Sequence, residues 1–544
     1  MLRPTGRSPQ GFTERIKHAA GGWLHLLYGK AGDFLQSLHL VSGSRKLTVS
    51  AAARKRLQAR LERELSWAAA AAEGTAATGP GDPLRACRTP GAPGAPGSPG
   101  APGAPGAPGG FGMPGAGGFP GAAGAPGAPG SGGFPGFPGF PGWPGGGHGA
   151  AGAGSGGGPG PADPGEDDPG TGGPENPGSP APGSSRPLTP EQAERLLRRI
   201  RRETAEGNRS NVTRTAAYWT FYRQHPELHW AFLAHMVSRN GGWNMTDLKG
   251  DFLPRLIGGA QRERIFEMLE AANALIFGDA YPQLLLYQES LKRGTNLSGY
   301  LRDLGVSLFM KAVWDDFWEN RDPIVLTIGL IVNEQNYIQG RVVEDPHYRK
   351  HVLETPAFQA QAVLQLNQVL FPYRSSGPDG DSTGAAAAPQ ADGLVGLILE
   401  DFMDLDERIS FGTKLYAILF GLAGAGEDVR RFAAGIPHTG SRSDYWPQVF
   451  APHRKTPPVR FPKERLEGCG VVKGSERLYS PALADAWPDR PVTDPAVHDW
   501  CGGTSMLRYF RSIQAPFPVE ITHEQCLALK KLELAALAGK LISP

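Results

Sequence analysis

Cysteine is scarce. The 544 residues contain four, Cys87, Cys469, Cys501 and Cys526, widely spaced and without a CxxC pair. That spacing argues against a disulfide framework and a structural zinc site, and it predicts reduced thiols. A surplus of charge is missing too: 55 Lys and Arg face 53 Asp and Glu, a net +2. The chain as a whole therefore carries no electrostatic signature of nucleic-acid binding. Long apolar runs are absent. The longest, Ile324 to Val332 and Tyr416 to Ala423, are too short to span a bilayer. No apolar stretch with a cleavage site follows the charged first residues. A cytoplasmic location is the expectation. Finally, no series of alternating strands joined by hairpin turns is visible, which excludes the all-β classes.

Glycine and proline, by contrast, are abundant, 76 and 51 residues, and most of the excess lies between Thr89 and Pro187. From Gly91 to Gly109 every third residue is Gly, and the period resumes from Gly121 to Gly145. A collagen triple helix needs that period, because only Gly fits its axis. Both runs are short, interrupted and nearly uncharged, so a flexible linker over 73–188 is expected, with self-association through the collagen-like repeat as the alternative. Residues 1–72 form a basic amphipathic segment. Met1 to Ser66 holds twelve Lys or Arg against four Asp or Glu, a net +8. Weak, salt-sensitive contact with an anionic membrane or nucleic acid is the partner this charge suggests.

Residues 189–435 read as a multi-helix bundle, giving an all-α class. Thr189 followed by Pro190 is a helix start. Asn211 is expected to cap the next helix, and Pro226 to open a central helix that stops at Gly241 and Gly242. Further helices are predicted over Gln261–Phe277, Pro282–Leu291, Ser298–Asn320, from Asp322–Pro323 to about Val343, from Thr355–Pro356 to about Phe371, and over Leu394–Phe402, Asp406–Phe420 and Glu427–Ala434. From 436 onward prolines forbid long helices, yet the aromatics are too many for disorder. This part, 436–544, is expected to wrap the bundle as an irregular arm and to end in a helix over His523–Leu541.

The central helix and the turn after it concentrate polar groups among apolar ones: His229, His235, Arg239, Asn240, Asn244 and Asp247. They are the first pocket candidates. Asn244 and Asp247 also have the spacing of a helix cap and its third residue. The second candidates are Asn333 and Glu334. They follow Ile324–Val332, which is apolar on every face and so predicts burial all round. A buried Glu334 needs a hydrogen-bonded cation, and Arg239 and His235 are the expected partners. His225 and His229 have a metal-ligand spacing, but Pro226 puts His225 outside the helix. Cys501 precedes Gly502–Gly503 with His498 nearby, an arrangement that activates a thiol only if the two meet in space. No cofactor is identified.

The stretch NVTRTAAYWTFYRQHPELHWAFLAHMVSRNGGWNMTDLKG and the later DPIVLTIGLIVNEQNYIQGRVVE resemble the YppC-like family of Firmicutes, a bacterial domain of unknown function. The resemblance runs from about Thr189 to the C-terminus and carries no activity. The cluster Asp315, Asp316, Glu319 resembles the DDxxE motif of class I terpenoid synthases, whose carboxylates hold magnesium against a diphosphate. Two function classes follow: a binding or scaffold protein, and an enzyme acting on a small or phosphorylated substrate.

Overall fold

The structure is a computed structural model that describes residues 29–72, 187–359, 367–375, 390–455, 457, 463–490 and 499–542. The linker expectation for 73–188 falls almost wholly outside them, as do Cys87 and His498. The described residues belong to one compact unit, in which 29–72 pack with the helical domain.

Helices dominate. They are α1 (Ala51–Ala72), α2 (Pro190–Gly207), α3 (Asn211–Gln224), α4 (His229–Asp247), α5 (Gly259–Arg293), α6 (Leu308–Asn320) and α7 (Pro323–Ile338). Where the start signal is local, it works as read. The Thr189 hydroxyl accepts from the Gln192 amide and Gln192 returns the bond, with Pro190 at the first helical position. The Asp322 carboxylate accepts from the Ile324 and Val325 amides before Pro323.

Five helix expectations are corrected. Ser210, not Asn211, caps α3, because its hydroxyl meets the Thr213 amide in a capping box. Asn211 is thereby released into the core, where its amide donates to the Ser238 carbonyl at 2.8 Å. Pro226 lies in the turn between α3 and α4 rather than opening the helix. Helix α4 does not stop at Gly241–Gly242 but runs through to Asp247. A Cβ on Gly242 would lie 2.5 Å from Asn211 Oδ1 and 2.6 Å from His438 Nε2, so this glycine serves close approach, not termination. Helix α5 is one helix where two were predicted, with Pro282 inside it. Pro282 leaves one backbone acceptor unpaired, and burial of Ala280, Leu284 and Leu285 on both sides outweighs that loss. The predicted helix from Ser298 resolves into two short 3-10 turns before α6, separated from it by Gly305 at φ 81°.

Two predicted helices contain strands instead. Gln368–Tyr373 (β1) pairs antiparallel with Gly393–Ile398 (β2), Gln368 opposite Ile398 and Tyr373 opposite Gly393. Short continuous apolar runs carry no periodicity that separates strand from helix. Gly396 marks the outcome, since a Cβ there would lie 2.1 Å from the Val369 carbonyl. Helices α8 (Leu405–Gly421) and α9 (Ala423–Gly435) follow. The arm is irregular, as expected, with a parallel pair Phe450–Ala451 (β3) and Leu478–Tyr479 (β6), and a hairpin Leu466–Glu467 (β4) with Gly470–Val471 (β5). Helix α10 (Thr522–Ile542) closes the described chain.

The N-terminal segment packs on the domain where it is described. Leu57 and Leu61 of α1 are fully buried. Lys311 of α6 pairs with Glu64 at 2.6 Å, and Leu47 bridges Ile513 of the arm. No single helix among the described residues is long and apolar enough to cross a membrane; α8 and α9 pass that test only together, bent by 91°.

The expectation of reduced thiols is overturned at one pair. Cys469, in the β4–β5 turn, is bonded to Cys526 of α10 across a separation of 57 residues. Spacing in sequence does not reveal which cysteines the fold brings together. Closing a loop of that length restricts the unfolded chain by about 4 kcal/mol. Cys526→Ser, or reduction of the parent, should lower the melting temperature, and the reductant should leave the variant unaffected. Equal melts with and without reductant for the parent would show that the bond contributes nothing.

Candidate functional site

Helix α4 is buried on nearly every side. The residues that retain partial exposure beyond its first turn are Ala234, Val237, Gly241, Asn244 and Asp247. Their spacing of three and four puts them on one face. That face forms one wall of an internal cavity of about 320 Å³. From Trp230 to Asn244 the wall is about 21 Å long at the rise of an α-helix. The other walls come from α5 (Met268, Ala272, Ile276), α7 (Glu334, Ile338), α8 (Phe411, Leu415), α10 (Ala528, Leu529) and β1. Most of the lining is aliphatic or aromatic.

The polar exceptions are few and grouped. Glu334 accepts a hydrogen bond from Trp230 Nε1 at 3.1 Å and one from Gln335 Nε2 at 3.3 Å. Burial, with Asp279 adding like charge, pushes its carboxyl up to about 8. Gln335 Oε1 in turn accepts from Arg408 Nε at 3.1 Å. Gln368 reaches the cavity from β1; it is 4% exposed, and among the described residues neither its amide nitrogen nor its oxygen has a partner. At the far end, Arg442 of the arm binds Asp247 through Nε at 2.9 Å and Nη2 at 2.7 Å, and Asn244 at 3.2 Å.

Of the eight pocket candidates, Asn240, Asn244, Asp247 and Glu334 line this cavity. Asn240 works partly as a brace, donating to the Gln368 carbonyl at 3.1 Å and accepting from the Leu370 amide at 3.3 Å. Asn244 and Asp247 are not a helix cap, because α4 continues through them. The other four face elsewhere. His229 stacks on Phe420 at 3.9 Å and meets the Tyr416 hydroxyl at 2.9 Å; burial pulls its ring down to about 4. His235 donates through Nδ1 to the Thr215 carbonyl at 2.9 Å. Arg239 is fully buried, donates to the Ile436 carbonyl at 2.9 Å and lies over Phe432. The expected pairing of Glu334 with Arg239 or His235 is therefore corrected: its partners are Trp230 and Gln335. Asn333 faces away too, donating to Asp279 at 2.6 Å and accepting from Ser307 and Trp500. It joins α7 to α5 and to the arm.

Asp315, Asp316 and Glu319 face α1 and neighbouring turns. Asp316, fully buried, accepts from Arg56 at 3.1 Å; Glu319 pairs with Arg60, and Asp315 with Lys311 at 3.0 Å. Each of the three carboxylates is thus paired with a cation of the chain. Among the described residues no group of three His, Cys, Asp or Glu is arranged to hold a metal. Cys501 is buried, which pushes its thiol up to about 11, the reverse of activation. Reasoning on the sequence missed Arg408, Gln335, Gln368 and Arg442. Arg408 carried one faint signal: a cation in the first turn of a helix that is otherwise apolar on its inward face.

The family model described as "Protein of unknown function (DUF2515)" matches residues 206–532. That is more than half of the chain, and the chain belongs to this family. It is similar to the uncharacterized protein YppC of Bacillus subtilis (strain 168), 35% identical over 329 residues, which cover 60% of this chain and 90% of the relative. No solved structure matches.

Proposed function

For this member of the DUF2515 family, we propose that the chain is a binding protein that takes an elongated, mostly apolar small molecule into the cavity between α4, α5, α7, α8 and α10. The observation that carries the reading is the amide of Gln368 at the cavity wall, for which the described residues supply no partner. A buried amide without partners costs about 1–3 kcal/mol, which a ligand hydrogen bond offsets. The volume is within the range of small-molecule pockets. The test uses the full chain and Nile red as a neutral apolar probe. Nile red fluorescence should rise and saturate, and Ala272→Trp, which fills the cavity from α5, should weaken binding by about tenfold or more with the melting temperature held or raised. Equal binding by parent and Ala272→Trp would remove the cavity as the site.

An enzyme acting on the same ligand is the second reading, favoured by the neutral acid that Glu334 supplies at the cavity wall. Chemical change of a bound molecule, lost in Glu334→Gln, separates it from simple binding.

The Gly/Pro-rich stretch 73–188 is proposed as a tether, and light scattering on the full chain tests it: a trimer lost on deleting 91–145 supports the collagen-like alternative. The cytoplasm is the proposed location. Alkylation of thiols at cell lysis tests that proposal, since a fully oxidised Cys469–Cys526 pair points to an oxidising compartment.

A further inference from the structure

We propose that the cavity is built for a single carboxylate carried on an apolar chain, its head seated between Arg408 and Glu334. The inference rests on the cavity reading above and adds the chemical class of the ligand.

Arg408 is the observation that carries it. Arg408 is 3% exposed and lines the cavity. It donates to three neutral acceptors, Gln335 Oε1 at 3.1 Å, Gln339 Oε1 at 2.6 Å and the Phe402 carbonyl at 2.5 Å, and it packs on the Phe402 ring. Among the described residues no carboxylate pairs with it. Asp404, Asp401 and Glu344 act on it only from a distance. A buried cation without a counter-ion costs several kcal/mol. Three bonds also leave two of its five N–H groups for a ligand. The other guanidinium at the cavity, Arg442, has its counter-ion already in Asp247.

Glu334 completes the head site. Both of its hydrogen bonds are donated to it, by Trp230 and Gln335. In its neutral form it carries an O–H that a ligand carboxylate can accept. Gln335 fixes the relation of the two groups, since its amide accepts from Arg408 and donates to Glu334. An anion placed here receives N–H groups from a fixed fork and an O–H from an acid, both charge-assisted. One unpaired guanidinium balances one negative charge, so a carboxylate fits and a dianionic phosphate does not. The apolar lining along α4, α5 and α10 takes the chain behind the head.

The experiment displaces Nile red from the full-length protein with palmitate, methyl palmitate and hexadecyl phosphate. Palmitate should displace at least about tenfold better than the ester, the equivalent of one charge-assisted bond. Arg408→Met should abolish that preference while Nile red still binds. Should Arg408→Met fail to fold, Arg408→Lys keeps the charge without the fork, and its preference should fall between parent and none. Acid and ester competing equally in the parent would overturn the carboxylate head and leave the cavity reading standing. Phosphate competing best would overturn the count of one charge. Nile red that does not bind, or is indifferent to Ala272→Trp, would defeat the cavity reading itself.

Discussion

Stability should fall as the pH rises from about 6.5 to 8, above the range in which the buried neutral His229, His235 and His438 add the opposite slope, and Glu334→Gln should remove a large part of that fall. The folded carboxyl sits at about 8 against an ordinary value of 4.5, and Asp279 sits at about 7 against 3.8. Both are raised, so between the ordinary and the folded values the native state binds protons that the unfolded chain has released. Stability then decreases with pH across that window and levels off above it. For Glu334 the shift corresponds to at most about 5 kcal/mol. Glutamine keeps an acceptor for Trp230 Nε1 without ever placing a charge beside Asp279. The variant should therefore match the parent near pH 5 and exceed it at pH 8, the remaining slope coming from Asp279. Thermal or urea melts across pH read this directly. The pairing of Glu334 with Arg239 expected from the sequence gives no such fall, since a carboxylate held by a cation titrates below its ordinary value of 4.5 and changes stability only in acid below it. Parent and Glu334→Gln with the same change in stability between pH 6.5 and 8 would therefore remove the neutral acid from the cavity.

Arg442→Met should destabilise by about 3–5 kcal/mol. Arg442 is 6% exposed and fastens the arm to the end of α4. It binds Asp247 through two nitrogens, donates from Nη1 to the Tyr445 hydroxyl at 2.5 Å, and reaches Asn244. Its own backbone amide is held by Ser480. Methionine fills much of the volume but leaves the Asp247 carboxylate without its cation and the Tyr445 hydroxyl without its donor. The double change with Asp247→Leu should recover part of the loss, because it removes the stranded charge. Arg490, whose pair with Glu267 is more than a third exposed on both sides, is the control, and Arg490→Met should cost less than about 1 kcal/mol. Denaturant unfolding measures all three. A loss at Arg442 no larger than at Arg490 would mean that the arm is held by its apolar contacts alone.

Much of the helical class was legible in the sequence because its signals are short-ranged. The Thr189 capping box and the Asp322–Pro323 start are complete within one turn of chain. The apolar run of Ile324–Val332 forced burial of α7 whatever surrounded it, and with it brought Glu334 to an interior wall. Tertiary structure decided what depends on distant partners. Helix α4 passes through Gly241–Gly242 because Asn211 and His438 press against it, and neither is near it in the chain. Gly393–Ile398 is a strand because one edge meets β1 and the other meets Val519 and Glu520; the run itself suits a helix equally well. Cys469 and Cys526 meet because the arm folds over α10. Asn333 and Glu334, adjacent in the chain, point about 100° apart on a helix, so one braces the core and the other faces the cavity. The cavity itself, and the Arg408 and Gln368 at its wall, belong to no segment. It is the space that five helices and a hairpin leave between them, and only their mutual packing sets its size and lining.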